Sequence, residues 1–170
     1  MNKLIGNIFI ASPKITGKLK NKFIICCEEV NNQIIAVVLN EKLQIKTNFN
    51  KELNWGGTIM SDEIIVIHSS KYSFHSTVQV TKKLSISPYL ELLDYLDQGY
   101  NISEYSVYAG FCSLDKIQFE EDIAQDKWLI NLDKEIEDKV LKNEDISIKN
   151  NIQNQILINN LFCNNKTNLA

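Results

Sequence analysis

The chain contains no arginine: its 18 basic residues are all lysines. It also has only two histidines, two prolines and six glycines in 170 residues. Each shortage excludes something. Bidentate reading of guanine or phosphate rests mainly on the planar guanidinium fork, which a lysine ammonium does not reproduce. With a formal net charge of −3, the attraction that dominates nucleic-acid affinity is weak as well. Lys82-Lys83 is the only adjacent lysine pair, and no basic stripe studded with aromatics exists. Direct nucleic-acid binding is therefore disfavoured. His68 and His75 alone leave any metal site dependent on cysteine or carboxylate, and no spacing supplies one. Neither a metal nor another cofactor is expected. A Gly-x-Ser-x-Gly nucleophile elbow is missing. No run approaches the roughly 18 apolar residues of a membrane span. Met1 to Gly6 lead straight into a strand pattern too short for a secretory apolar region, so a cytoplasmic location is expected.

What is present is ordinary for one globular domain. Apolar residues make up 44% and charged residues 23%, and 170 residues suffice for a real core. The abundance of lysine, asparagine and isoleucine, all with A/T-rich codons, reads as genome composition. Cysteines stand at 26, 27, 112 and 163 without a C-x-x-C spacing. In a reducing compartment they are thiols. Cys26 and Cys27 lie in a strand pattern and so point to opposite faces.

Apolar patterning predicts strands over 4–11, 22–29, 33–39, 63–68, 75–80, 105–111 and 127–131. Asn31-Asn32 between two of these runs is a hairpin signal. Ile34 to Leu39 are continuously apolar, the mark of a strand buried on both faces. Positions 40–54 are polar and unassigned, and Trp55-Gly56-Gly57-Thr58 reads as a turn. Ser87-Pro88 predicts a helix start with serine as N-cap, and Gly99 its C-terminal cap. A strand stopping at Gly110 precedes an acidic helix over 115–124. Asp133 caps another helix with Ile136 and Val140 on its inner face. A last helix is expected over 150–160 and a frayed tail over 163–170, which makes 1–162 a single domain. Early hairpins followed by helices argue for an α+β fold.

Certain residues carry a further signal. Gly6, Phe9-Ile10-Ala11 and Pro13 form one block, followed by Cys27-Glu28-Glu29, Asn40 and Gly56-Gly57-Thr58. A last block holds Gly110-Phe111, Leu114, Ile117-Gln118-Phe119-Glu120, Ile123 and Trp128-Leu129. Over about residues 4–130 their order and spacing resemble the AlgH/YqgE family of small bacterial proteins. The departures are Glu29 for a family His, Thr58 for a Pro, Leu114 for a Trp, and Ile117, Gln33 and Ala36 for glycines. The Asn-Lys-Pro of the family is here Asn40-Glu41-Lys42. The resemblance implies a split, partly barrel-like antiparallel sheet flanked by helices, and no established activity.

The resemblance also singles out Asn40, Gly56, Gly57, Gly110, Gln118 and Glu120 as a ligand-binding set. Asn40 and Gln118 would supply donors and acceptors, the glycines close backbone approach, and Glu120 a charge. Several positions have a plainer reading: Gly56-Gly57 as a turn and the Gln118 to Asp122 stretch as a solvated helix start; Trp55 and Trp128 read as core or cleft-lining residues. No catalytic residue is assigned. Cys112, beside the helix start, is the candidate reactive thiol, although Asp115 in the same turn opposes thiolate formation. The leading expectation is a non-enzymatic regulatory module that binds a small molecule or a protein. One alternative is transcriptional regulation exerted indirectly rather than by direct DNA binding. Another is a hydrolase or thiol-dependent enzyme centred on Cys112 or the Glu120 region. Oligomeric state and partner identity stay open.

Overall fold

The computed structural model describes residues 3–47 and 51–146. The expected helix over 150–160, the tail over 163–170 and the domain limit at 162 lie outside these residues. The described residues form ten strands and three helices. β1 (Ile8–Ala11), β2 (Phe23–Val30) and β3 (Gln33–Val38) make an antiparallel meander. A short 3-10 turn, Gly17–Leu19, lies between the first two strands. The β2–β3 hairpin turns on Asn31 and Asn32, at φ 49° and 63°. Asparagine tolerates such angles, and two left-handed residues match the twist of a two-residue hairpin.

β4 (Lys42–Lys46) and β5 (Glu52–Trp55) pair with each other in the region that patterning left unassigned. Both strands alternate polar and apolar residues, Lys-Leu-Gln-Ile-Lys and Glu-Leu-Asn-Trp, but the runs are only five and four residues long and all but Asn54 are half-buried or exposed. β6 (Ile59–Ser69), β7 (Val78–Gln79) and β8 (Leu84–Pro88) follow, then β9 (Tyr105–Asp115) and β10 (Trp128–Ile130). The strand order is β10-β1-β2-β3-β9-β6-β8-β7, with β5 also beside β9. The sheet is mostly antiparallel and open. β10 and β7 stand at its two ends, so it does not close into a barrel.

β9 joins the two halves. Its first part pairs with β6 (Val66↔Val107) and, in parallel, with β5 (Asn54↔Tyr108). Its last part pairs with β3, from Ala36↔Cys112 to Gln33↔Asp115. The predicted strand end at Gly110 is therefore corrected: the strand continues to Asp115. Gly110 sits at φ 74°, and β6 bulges between Ile59 and Ile64 opposite it. The glycine redirects the strand from one half-sheet to the other instead of ending it.

α1 (Tyr89–Asp97), α2 (Lys116–Ala124) and α3 (Glu135–Leu141) cover the sheet. Alternation in β1 to β3 sends Ile10, Ile25, Cys27 and Val37 to the α3 side, where Ile136 and Val140 meet them. Phe9, Ile24, Cys26, Ala36 and Val38 face Phe119 of α2 and Trp128. β3 is thus buried on both faces, and the two adjacent cysteines point apart. Leu92 of α1 packs on Val66, Tyr105 and Val107.

Three further expectations are corrected. The strand expected from residue 4 begins at Ile8, because Gly6 adopts φ 87° in a turn closed by the Asn7 N–H to the Leu4 carbonyl. The strand expected over 75–80 shrinks to Val78–Gln79. Ser87 does not cap α1: it lies on β8, where its hydroxyl is held by His68 Nε2 at 2.8 Å and meets Thr77 Oγ1 at 2.8 Å. Gly99 does end the helix region, at φ 89° with its N–H on the Leu96 carbonyl.

Candidate functional site

An open cleft of about 500 Å³ lies among the described residues. Three segments build it. The loop after β1 supplies Lys14, Ile15, Thr16, Lys18 and Leu19. The end of β9 and the start of α2 supply Ser113, Leu114, Asp115, Gln118, Phe119 and Asp122. Thr58, Lys127 and Trp128 complete the wall. Phe119 and Trp128 are buried in the core below, their rings 5.9 Å apart and edge to face. They give the cleft an apolar floor, while the rim is polar.

Local sequence explains the polar wall. Asp115 caps α2, accepting the Gln118 N–H at 2.9 Å. Such a cap satisfies a donor that has no partner inside the helix. Gln118 and Asp122 are four residues apart on one helix face, and the Gln118 Nε2 donates to Asp122 Oδ1 at 3.0 Å. Lys127 Nζ reaches the same oxygen at 3.2 Å. The loop is tied across the helix end by Lys14 Nζ, which donates to the Gln125 carbonyl at 2.8 Å. Gln118 thus lines the cleft with its side-chain nitrogen held by Asp122.

The six residues picked out by resemblance do not gather in one place. Gln118 lines the cleft and Glu120 lies half-buried on the same helix. Gly56, Gly57 and Gly110 are buried and pack on one another. An ideal Cβ on Gly56 would stand 2.1 Å from the Gly110 carbonyl oxygen, and one on Gly57 would stand 2.2 Å from that of Phe111. The close backbone approach expected of a ligand is made by the chain itself, where the segment after β5 crosses β9. Asn40 does not line the cleft but lies beside Lys42 and Glu144. Its Oδ1 accepts the Phe23 N–H at 2.8 Å and its Nδ2 donates to the Asn21 carbonyl at 3.0 Å, bracing the entry to β2.

Cys112 is not at the helix start but inside β9, four residues before Lys116, and is buried. Burial pushes its thiol up to about 11, against a hydrogen bond from the Thr58 backbone that works the other way. At neutral pH it is a protonated, sheltered thiol with Sγ 3.8 Å from the Gly56 carbonyl. Cys26, pushed up to about 12 by burial, is no more available. His68 is fully buried, its Nδ1 2.9 Å from the Ser69 carbonyl. Among the described residues, no three His, Cys, Asp or Glu side chains are grouped to hold a metal ion. Among them, too, no helix is long and apolar enough to cross a membrane.

Lys14, Lys18, Thr58 and Lys127 enter the cleft without having been predicted. They come from a loop and two strand ends, which meet only through the sheet. The four-residue spacing of Gln118 and Asp122 was the one local clue to this wall.

The protein is thus of the α+β class, an open sheet with a cleft between the first loop and the second helix. Residues 8–147 match the AlgH-like family model, DUF179, and the chain belongs to that family. A UPF0301 protein of Aliivibrio fischeri is 31% identical over 147 residues, spanning 74% of this chain and 78% of that protein. A UPF0301 protein of Buchnera aphidicola is 26% identical, spanning 73% and 76%. The solution structure of the AlgH protein from Pseudomonas aeruginosa superposes with a TM-score of 0.66 at 15% identity, covering 83% of each chain. Protein DIP2367 of Corynebacterium diphtheriae gives 0.62 at 12%, covering 76% of each. These two structural likenesses concern the fold.

Proposed function

We propose that the protein is a non-enzymatic binding module of regulatory type whose cleft, built around Gln118 and Thr58, receives a small molecule. The observation that carries this reading is the cleft itself. About 500 Å³ is within the range of small-molecule sites. An apolar floor of Phe119 and Trp128 lies beneath convergent polar groups, the usual division of labour between affinity and orientation. The enzymatic alternative draws little support: the Cys112 thiol is buried and protonated, and Asp122 is held by an amide and an ammonium. If the module regulates transcription, it does so through its ligand or a partner protein, given the acidic balance and the missing arginine.

A thermal-shift screen of metabolites and nucleotides tests the reading. A ligand at about 100 times its Kd stabilises by about 2.7 kcal/mol, worth on the order of 5–10 °C in a domain of this size. The shift should vanish in Gln118→Ala and Thr58→Trp and persist in Asn40→Ala. A ligand whose shift survives both cleft substitutions, or a screen without a hit, would overturn the assignment.

A further inference from the structure

The cleft's charges are not evenly spent. Asp115 receives the Gln118 N–H, and Asp122 receives both the Gln118 amide and the Lys127 ammonium. Asp122 thus has a lysine partner, whereas Asp115 keeps its charge; Lys14, Lys18 and Lys127 against Asp115 and Asp122 leave the lining with a formal charge of +1. Among the described residues, neither loop lysine has a counter-charge. Lys14 donates only to a neutral carbonyl, that of Gln125. Lys18 is exposed, lines the cleft and enters none of the five ion pairs among the described residues. The available charge at the mouth is positive, and the floor is aromatic.

We infer that the cleft is selective for an amphipathic organic anion. A planar apolar body lies over Phe119 and Trp128, and a carboxylate or phosphate is held at the mouth by Lys14 and Lys18. A bound anion would offset the lysine charge that the protein leaves unpaired, whereas an ammonium of the same shape would meet like charge at the mouth. The Gln118 side-chain oxygen, with its nitrogen committed to Asp122, is the acceptor for a donor on the ligand body. This inference rests on the small-molecule reading of the same cleft and adds the sign of charge and the polarity of the occupant.

A matched set of probes separates the two statements. Indole-3-propionate, tryptamine and uncharged 3-methylindole share a ring and differ in charge; inorganic phosphate carries charge without a ring. Binding is followed by calorimetry on the full chain at low and high salt. Indole-3-propionate should bind most tightly, and more weakly as salt rises. Lys18→Gln should weaken it on the order of tenfold, the worth of one charge-assisted hydrogen bond, while Lys82→Gln, remote from the cleft, leaves it unchanged. Tryptamine binding as tightly as the acid, or phosphate alone binding as tightly, would overturn the inference and leave the small-molecule reading standing. Failure of all four probes to bind at millimolar concentration would overturn the inference, while the metabolite screen on the same protein decides the broader reading. Circular dichroism of the variants confirms that each is folded.

Discussion

Gly56 lies against the carbonyl of Gly110 so closely that a Cβ on the first would stand 2.1 Å from the oxygen of the second. This contact carries the crossing of the segment after β5 over β9. Both groups are backbone, so neither can swing aside. Three glycine-to-alanine substitutions separate the causes. Gly56→Ala tests the clash alone, since its backbone needs no left-handed angle. Gly99→Ala tests the angle alone: φ is 89° and the space around it is open. Gly110→Ala combines φ 74° with contacts of 2.7 and 2.9 Å to the carbonyls of Gly57 and Ile59. We expect Gly99→Ala to cost about 1 kcal/mol and the other two about 3 kcal/mol or more, by urea denaturation. Equal losses at all three positions would show that the crossing adds nothing beyond backbone strain.

The same crossing marks where the sequence stops being readable. Local signals carried the elements whose causes are local. Asn31-Asn32 formed the expected left-handed hairpin turn, Ile34 to Val38 the doubly buried strand, and Ile136 with Val140 the inner face of α3. Gly110 looked like a strand end because a glycine with a left-handed angle is locally the same object whether a strand stops or bends. Only its non-local partners, Gly57 and Ile59, decide that it bends. Likewise Ser87-Pro88 has the chemistry of a helix cap, but the buried ring of His68 claims that hydroxyl. Of the residues lining the cleft, Gln118 was singled out by the family resemblance, and its partners Asp115 and Asp122 are its own helix neighbours. Lys14, Lys18 and Thr58 reach it through long-range strand pairing, which no spacing records.

His68 makes acid stability a measurable property. Its ring is fully buried, and burial lowers its pKa below the usual 6.5, opposed by its bond to the Ser69 carbonyl. The unfolded chain therefore binds a proton on this ring at a higher pH than the native state does. Stability should be complete above about pH 6.5 and fall as pH drops toward the lower native value. The slope approaches about 1.4 kcal/mol per pH unit between the two. Denaturation midpoints taken from pH 7.5 to 5 would show this loss. In His68→Gln, which keeps a side-chain amide near Ser87, the baseline stability is lower and the slope in that window flatter. An unchanged slope in the variant would assign the acid sensitivity to other groups.

The cysteines offer a test of the binding reading over the thiol-dependent one. Cys112 is buried and pushed up to about 11, and Cys26 up to about 12, both chiefly by burial. Reagents attack thiolates, so native protein at pH 7.4 should leave both unlabelled. In a Cys163→Ser background, iodoacetamide should modify none of the remaining thiols within an hour and all of them in urea. Selective native labelling of Cys112, mapped by mass spectrometry, would restore the thiol-dependent alternative.

Asn54 and Asn143, the latter just past α3, tie the end of that helix to the β4–β5 pair, and Lys42 Nζ also donates to the Asn143 backbone carbonyl at 2.8 Å. Asn54 is buried, and its Nδ2 donates to the Val107 carbonyl at 2.9 Å and to Asn143 Oδ1 at 3.0 Å. Asn143 returns a bond to the Glu52 carbonyl at 3.3 Å and accepts Lys42 Nζ at 3.2 Å. Its own backbone is left-handed, φ 55°, just past the helix end, a conformation that asparagine and glycine tolerate best. Removing either amide strands a buried partner, so Asn54→Ala should cost about 1–3 kcal/mol. Asn143→Gly keeps the backbone angle and loses only the side-chain bonds. Asn143→Ala loses both and should be worse by about 1 kcal/mol. Because the two amides share one hydrogen bond, Asn54→Ala combined with Asn143→Gly should cost less than the sum of the single losses, by about 0.5 kcal/mol or more. Strict additivity in chemical denaturation would mean that the helix is held by the Ile136 and Val140 packing and not by this pair.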